Sequence, residues 1–331
     1  MPNAYISGTG FYVPPKVITN HDLCQYMNTS DSWIRERTGI HERRYADKGI
    51  GPSDLAINAT KRALESAALK IDDIEFIIFA TSTPDYYIPG SGCLLQEKMG
   101  FKEIGALDIR VQCSGFLYGL SVAEQYIKAG TYKNILLIGS EVQSTAMNLS
   151  DEGRDTAIIF GDGSGAAIVS STEENRGILS THLHTDGRYL KELWVEAPAS
   201  NAGNPRINKK DLELGKQYLK MNGKEVFRHA VKRFMEVINE ALIANNMSID
   251  DIDLFIPHQA NLRITQMIQN KLDLDPNKVM SNIHKYGNTT SASIPIALDE
   301  ALGEGKIKNG DIVLFAAFGS GFSWASCIIK W

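Results

Sequence analysis

Cysteine is scarce in this chain, four among 331 residues, and the four lack any useful spacing. Cys24, Cys93, Cys113 and Cys327 form no CxxC pair and no Cys/His pattern of the zinc-binding kind. A disulfide framework of the sort that holds small secreted domains together is excluded. No metal and no cofactor is expected. Long apolar runs are absent too, so nothing reaches membrane-spanning length. The opening residues, Met1-Pro-Asn-Ala-Tyr-Ile-Ser-Gly8, have neither the basic start nor the apolar stretch of a signal peptide. A cytoplasmic, reducing location with no membrane partner is the expectation. Charge of one sign is not in excess either. The net charge is −5, charged residues make up 22% and hydrophobic ones 43%. That balance describes a globular chain and gives no sign of a general nucleic-acid binder. The length suits one large domain or two of ordinary size.

What is present is an alternation of strand and helix patterns, which predicts an α/β architecture. Glu75–Thr81 and Asn134–Gly139 are short continuous apolar runs, suited to strands buried on both faces. Ser53–Leu69 and Glu225–Ala244 carry apolar residues at helical spacing. Residues 196–210, rich in Ala, Asn, Pro and Lys, read as a surface loop. The chain also repeats itself. Helix followed by Leu69-Lys-Ile-Asp-Asp-Ile-Glu-Phe-Ile-Ile-Phe recurs as helix followed by Met247-Ser-Ile-Asp-Asp-Ile-Asp-Leu-Phe-Ile. Later in each half a strand is predicted to run through a glycine turn into another strand, over Ile158–Val169 and again over Leu314–Ile329. Two matches in the same order predict a duplicated fold, 1–172 and 173–331, with a functional site between the halves.

The chemistry centres on Cys113. A strand-like run from Ile104 is predicted to end at the cysteine, and Ser114-Gly115 leads into a buried helix. A thiol at a helix N-terminus meets free N–H donors and the positive dipole end, so a lowered pKa and a thiolate are expected. The ordinary alternative is a buried small hydrophobe. Three segments of the second half join it. His258 follows a strand, in the repeat position that Ala80 holds in the first half. Asn288 lies in a polar turn before a helix. Gly319-Ser320-Gly321 turns between strands. Each alone also reads as structural, the asparagine as plain turn chemistry.

Together they carry a resemblance. The chain resembles the thiolase-fold condensing enzymes, and within them the 3-oxoacyl-[acyl-carrier-protein] synthase III family. The similarity runs almost end to end. It passes through Gly8-Thr-Gly-Phe-Tyr-Val-Pro14, Ser30-Asp-Ser-Trp-Ile-Arg-Glu-Arg37, the cysteine segment and Ile159-Phe-Gly-Asp-Gly-Ser-Gly-Ala-Ala167. It continues through His258-Gln-Ala-Asn-Leu-Arg263, Tyr286-Gly-Asn-Thr-Thr-Ser-Ala-Ser-Ile-Pro295 and Phe318-Gly-Ser-Gly-Phe-Ser-Trp324. The last glycine loop holds Ser320 and no cysteine, unlike degradative thiolases. The second histidine of elongating synthases is replaced by Asn288.

The resemblance implies a five-layered αβαβα fold, a homodimer and a ping-pong condensation. An acyl-CoA primer would load Cys113, and malonyl-acyl-carrier protein would then decarboxylate and attack. It implies that His258 and Asn288 donate to the malonyl thioester carbonyl. It implies an oxyanion site from the backbone N–H groups of Cys113 and Ser320. CoA recognition is implied for Trp33, Arg37 and Arg154, with Phe227 and Asn261 lining the pantetheine tunnel. Arg228, Arg263 and Lys271 match carrier-docking positions. Ile88 matches the residue that crosses the dimer interface and closes the partner's acyl pocket. Isoleucine is smaller than the phenylalanine of short-primer enzymes, so longer or branched primers are expected. The role of Gln112 beside the nucleophile stays open. Besides initiation of fatty-acid synthesis, three other readings stand: a synthase of a specialised pathway, an acyl-binding protein without condensation, and a hydrolase using the same acyl-cysteine.

Overall fold

A computed structural model describes all residues, Met1–Trp331. Nine strands and seven helices carry the architecture discussed here. The first sheet uses β1 (Asn3–Tyr12), β2 (Phe76–Ala80), β3 (Gly105–Ile109), β4 (Asn134–Glu141) and β5 (Gly163–Thr172), in the order β1-β5-β4-β2-β3. The second uses β6 (Gly177–Thr185), β7 (Leu254–Pro257), β8 (Ile312–Gly319) and β9 (Ser323–Lys330), in the order β7-β8-β9-β6. In the first sheet β2 runs parallel to β3 and β4, while β5 is antiparallel to β4 and β1. The second repeats that pattern: β7 is parallel to β8, and β9 is antiparallel to β8 and β6. The place of β3 is taken by an isolated parallel bridge between Phe255 and Val279.

Helices fill the layers between and outside the sheets. α1 (Asp31–Thr38) lies at one end, and α2 (Pro52–Ser66) covers β1 and β5. α2 starts where it does because Pro52 suits a first turn and Asp54 accepts the Gly51 N–H at 2.9 Å. α3 (Ser91–Met99) packs beside it. α4 (Gly115–Lys128) and α7 (Ser293–Gly303) contact strands of both sheets and so form the central layer. α5 (Gly223–Ala244) and α6 (Leu262–Leu272) close the outer face of the second sheet. The result is five layers, αβαβα. β2 is buried at every residue, as its unbroken apolar run requires. α4 buries Phe116, Leu117, Leu120, Ala123 and Ile127, and a Cβ on Gly119 would make the Leu137 side chain shift. Each large side chain removed from water in this layer stabilises the fold by about 1.5–3 kcal/mol. No helix is long and apolar enough to cross a membrane.

Two sequence expectations need correction. The strand before the cysteine ends at Ile109, and Arg110 and Val111 leave the sheet before a 3-10 turn over Gln112–Ser114. Residues 158–160 are not a strand. Ile158 caps a short helix and Phe160 makes only a single bridge, to Asn288. The first-half partner of the β8–β9 hairpin is β4 with β5, and residues 142–162 separate those two strands. The matching glycine motif had therefore aligned only the second strand of each pair.

Candidate active site

The 3-10 turn that precedes α4 presents Cys113 where two cavities meet. One is a tunnel of about 130 Å³ that also reaches His258, Asn288, Phe227, Asn261 and Gly319. The other holds about 510 Å³ and is bordered by Gln112, Thr290 and Ser320. Gln112 and Thr290 have φ of 42° and 54°. Left-handed backbone at non-glycine residues costs about 1–3 kcal/mol each and collects at working sites.

Cys113 is 5% exposed. Burial pushes its thiol up to about 12, and the nearby Glu141 carboxyl adds to the rise. The backbone N–H groups of Cys113 and Ser320 face the sulfur and pull the other way. Burial therefore opposes the expected thiolate. A helix terminus contributes about 0.3–1 kcal/mol, under one pKa unit, whereas full desolvation moves a group by about 3–5 units. The balance favours the thiol form of Cys113. These are the two N–H groups expected to hold an oxyanion, and both lie beside the sulfur. The Ser320 hydroxyl turns away and donates to the Leu193 carbonyl, which fixes that turn.

His258 directly follows β7, and its N–H donates to the Ala316 carbonyl at 2.8 Å. The ring is 2% exposed, and burial pushes its pKa down to about 3. Nδ1 lies 2.6 Å from Ser293 Oγ, which accepts the Gln259 N–H at 3.4 Å. A serine hydroxyl that donates to Nδ1 leaves the ring proton on Nε2, and one that accepts from Nδ1 leaves Nε2 bare. Nε2 is buried and has no protein partner. Asn288 is set by its backbone, which donates to Ile159 O at 2.9 Å and accepts from Gly161 N–H at 3.0 Å. Its Oδ1 accepts the Thr290 N–H at 2.8 Å. Its amide N–H₂ keeps its donors for the tunnel. The unpartnered His258 Nε2 and the Asn288 amide thus line the tunnel that also reaches Cys113.

A Cβ on Gly319 would lie 2.5 Å from Cys113 Cβ and 2.9 Å from its sulfur. Gly319→Ala is expected to slow acylation about 100-fold, the effect of displacing a reacting group by about 1 Å. Stopped-flow CoA release measures this, and an unchanged rate would show that the turn yields without moving the sulfur.

The other expected residues fall into two groups. Trp33, on α1, is faced by the guanidinium groups of Arg37 and Arg154, 4.5 and 4.8 Å from the ring centroid. An adenine stacked between Trp33 and Arg154 has to displace that arginine. Asn261 caps α6, accepting Arg263 N–H at 2.9 Å, and donates to the Arg37 carbonyl at 3.1 Å. It therefore ties the tunnel wall to the Trp33 helix. Farther out, Arg263 and Lys271 are exposed on α6. Arg228 is partly neutralised by Glu225, its Nε lying 3.2 Å from the carboxylate. Ile88 is 77% exposed and lines neither cavity of its own chain.

Glu141 escaped the sequence reading. Its buried carboxyl accepts from Ser82 Oγ at 2.9 Å, Thr83 Oγ1 at 2.8 Å and Ser291 Oγ at 2.7 Å. It binds the loop after β2 to the loop that carries Asn288, and burial raises its pKa. Only the polar end of an apolar strand, Ser140-Glu141, marked it in the sequence.

Comparison with known proteins agrees with this geometry. A family model described as "3-Oxoacyl-[acyl-carrier-protein (ACP)] synthase III C terminal" matches residues 242–331, and one described as "3-Oxoacyl-[acyl-carrier-protein (ACP)] synthase III" matches residues 107–187. The chain is 47% identical over 328 residues to a beta-ketoacyl-[acyl-carrier-protein] synthase III of Caldanaerobacter subterraneus subsp. tengcongensis, covering 99% of this chain and 98% of that protein. Its fold superimposes on 3-oxoacyl-[acyl-carrier-protein] synthase III from Aquifex aeolicus VF5 with a TM-score of 0.90 at 40% identity, over 99% of this chain and 100% of that one. It also superimposes on the priming beta-ketosynthase of the R1128 polyketide biosynthetic pathway, TM-score 0.91 at 29% identity, over 99% of this chain and 96% of that one.

Proposed function

Because the chain belongs to the 3-oxoacyl-[acyl-carrier-protein] synthase III family, we propose that Cys113, His258 and Asn288 are the residues that carry its reaction. The protein is a condensing acyltransferase that joins an acyl-CoA primer to malonyl-acyl-carrier protein and initiates fatty-acid synthesis. The Cys113 sulfur attacks the primer thioester, its proton leaves with CoA, and the acyl group remains on sulfur. The N–H groups of Cys113 and Ser320 hold the oxyanion of each tetrahedral intermediate. Malonyl-carrier protein then enters the emptied tunnel. Its carboxylate departs as CO₂ while His258 Nε2–H and Asn288 N–H₂ stabilise the enolate oxygen. The enolate carbon attacks the acyl carbonyl, and the sulfur leaves as thiolate and regains a proton. The reaction as written needs no cofactor.

The unpartnered His258 Nε2 and the Asn288 side chain, both lining the tunnel beside a buried thiol, carry this reading. Release of one CoA and one CO₂ per 3-oxoacyl-carrier product is the expected stoichiometry. Free acid formed without carrier protein would point to a hydrolase instead, and saturable binding without turnover to a binding protein.

Trp33, Arg37 and Arg154 are assigned to the CoA nucleotide, where stacking and cation–π attraction suit an adenine. Phe227 and Asn261 are assigned to its pantetheine arm. Arg263 and Lys271, free of acidic neighbours within ion-pair distance, are assigned to the acidic carrier protein. Arg263→Glu is expected to raise the KM for malonyl-carrier protein roughly 3–10-fold, about 0.7–1.4 kcal/mol, with the larger effect at low salt. Arg228→Ala should do less, since Glu225 already offsets that charge. Equal KM values for Arg263→Glu and the unaltered enzyme would remove α6 from the docking surface.

A homodimer is part of the same reading. The outer edge of β3 is unpaired, and Tyr86, Tyr87 and Ile88 are exposed beside it. Pairing through this edge would bring Ile88 to the partner's acyl cavity. The units 1–172 and 173–331 are proposed as its two structural halves, since the chain leaves one sheet at Thr172 and enters the other at Gly177. Exposed free thiols at Cys24 and Cys93 suit a reducing cytoplasm.

A further inference from the structure

The larger cavity has a mixed wall. Phe160, Leu193, Trp194 and Val195 make part of it apolar, while Arg110, Gln112 and Gln143 add polar groups beside Cys113. Arg110 matters most. It belongs to the short link that leaves β3 and turns into the cysteine, is exposed to solvent, and borders the same cavity as the nucleophile. It makes no ion pair and no side-chain hydrogen bond, unlike the paired arginines elsewhere in the chain. Asp85, the one carboxylate of the wall, is already held by the Ser53 hydroxyl at 2.7 Å and its N–H at 3.3 Å. A second cation stands nearby. Arg206 stacks over Tyr87 at 4.2 Å, and Tyr87 lines the same cavity. The Tyr87 phenol is lowered by its bond to Ser200 and then by Arg206 and Arg110, so both guanidinium groups act on it.

A methyl terminus can use the apolar part of that wall but leaves Arg110 without a partner. A carboxylate gains charge-assisted hydrogen bonds, in the two-point geometry a guanidinium offers. The volume, about 510 Å³, lies within the range of small-ligand pockets. We propose that the acyl group loaded on Cys113 carries a free carboxylate at its far end, held by Arg110, so that the primer is the mono-thioester of a short dicarboxylic acid. This rests on the acyl-enzyme reading above and gives it a substrate class. It also narrows the expectation drawn from Ile88, because the cavity selects for polarity as well as length.

The test is the acylation kcat/KM of the full-length enzyme with two series of CoA thioesters, C4–C8 monocarboxylic and C4–C8 dicarboxylic. The variants are Arg110→Ala and Arg110→Lys, with melting temperature as the check on folding. The unaltered enzyme should favour the best dicarboxylic thioester over the monocarboxylic one of equal carbon number by about 10–100-fold. Arg110→Ala should erase that preference while changing the monocarboxylic rates less than about threefold, and Arg110→Lys should restore part of it. Faster loading of the monocarboxylic series, or an Arg110→Ala loss that is equal for both, would overturn the inference and leave the acyl-enzyme reading intact. Failure of both series to load Cys113 would sink the acyl-enzyme reading and this inference with it.

Discussion

Cys113→Ala is expected to lower condensation by about 10⁴-fold or more, as loss of a covalent nucleophile does in other enzymes. The size of the effect follows from the surroundings. The sulfur is buried where the two cavities meet, and no other thiol lines either one. Cys327, the other buried cysteine, lies in β9 within the core. Cys113→Ser should be nearly as inactive. A hydroxyl ionises even less readily than the thiol already held at about 12. The neighbouring imidazole is a weak base for it, because burial pushes its pKa down to about 3. Product formation above about 1% of normal in Cys113→Ala would contradict the covalent route, since removal of a nucleophile leaves far less.

Asn288→Ala should separate the two half-reactions. Its amide is placed to donate to charge that develops only when the malonyl unit decarboxylates. Removing one such donor costs about 10²–10³ in rate. Loading of Cys113 should change less than about threefold, because the oxyanion of that step is served by backbone N–H groups. His258→Ala should give a loss of similar size. The double variant should lose less than the product of the two, as groups acting on one oxygen are not additive. Rapid-quench separation of CoA release from CO₂ release makes the distinction. Equal losses in both steps would mean that Asn288 holds the site's shape and does not stabilise the enolate.

The His258 pKa carries a pH consequence as well. The folded ring stays neutral down to about pH 3, while the unfolded ring is protonated below its ordinary value near 6.5. Its contribution to stability is present above pH 6.5 and is lost as pH falls from there toward 3. His258→Gln should therefore flatten the acid limb of the stability curve. Condensation by the unaltered folded enzyme should show no inflection near pH 6.5.

Much of this site was legible in the sequence because its parts occupy boundaries. Cys113, His258 and Asn288 each follow or precede a periodic segment, and those boundaries show as changes of pattern. The buried strands β2 and β4 were plain for the same reason, being short unbroken apolar runs. What stayed hidden depends on contacts between segments far apart in the chain. Arg110 lies in a run that reads as strand, and only the early end of β3 at Ile109 brings it to the cavity wall. Glu141 closes a strand, and its partners at 82, 83 and 291 come from other elements. Ser293 reaches His258 across 35 residues. Local pattern reveals the helix terminus beside Cys113 but not the depth of its burial, which pushes the thiol pKa the other way.

The most direct measurement is the intact mass of the protein after exposure to acyl-CoA thioesters, followed by peptide mapping and a chase with malonyl-carrier protein. The account predicts one acyl adduct per chain, located on Cys113 and absent from Cys113→Ala. The chase should discharge it as 3-oxoacyl-carrier protein. An adduct on another residue, or an adduct on Cys113 that carrier protein leaves in place, would contradict the assignment of this site to the condensation.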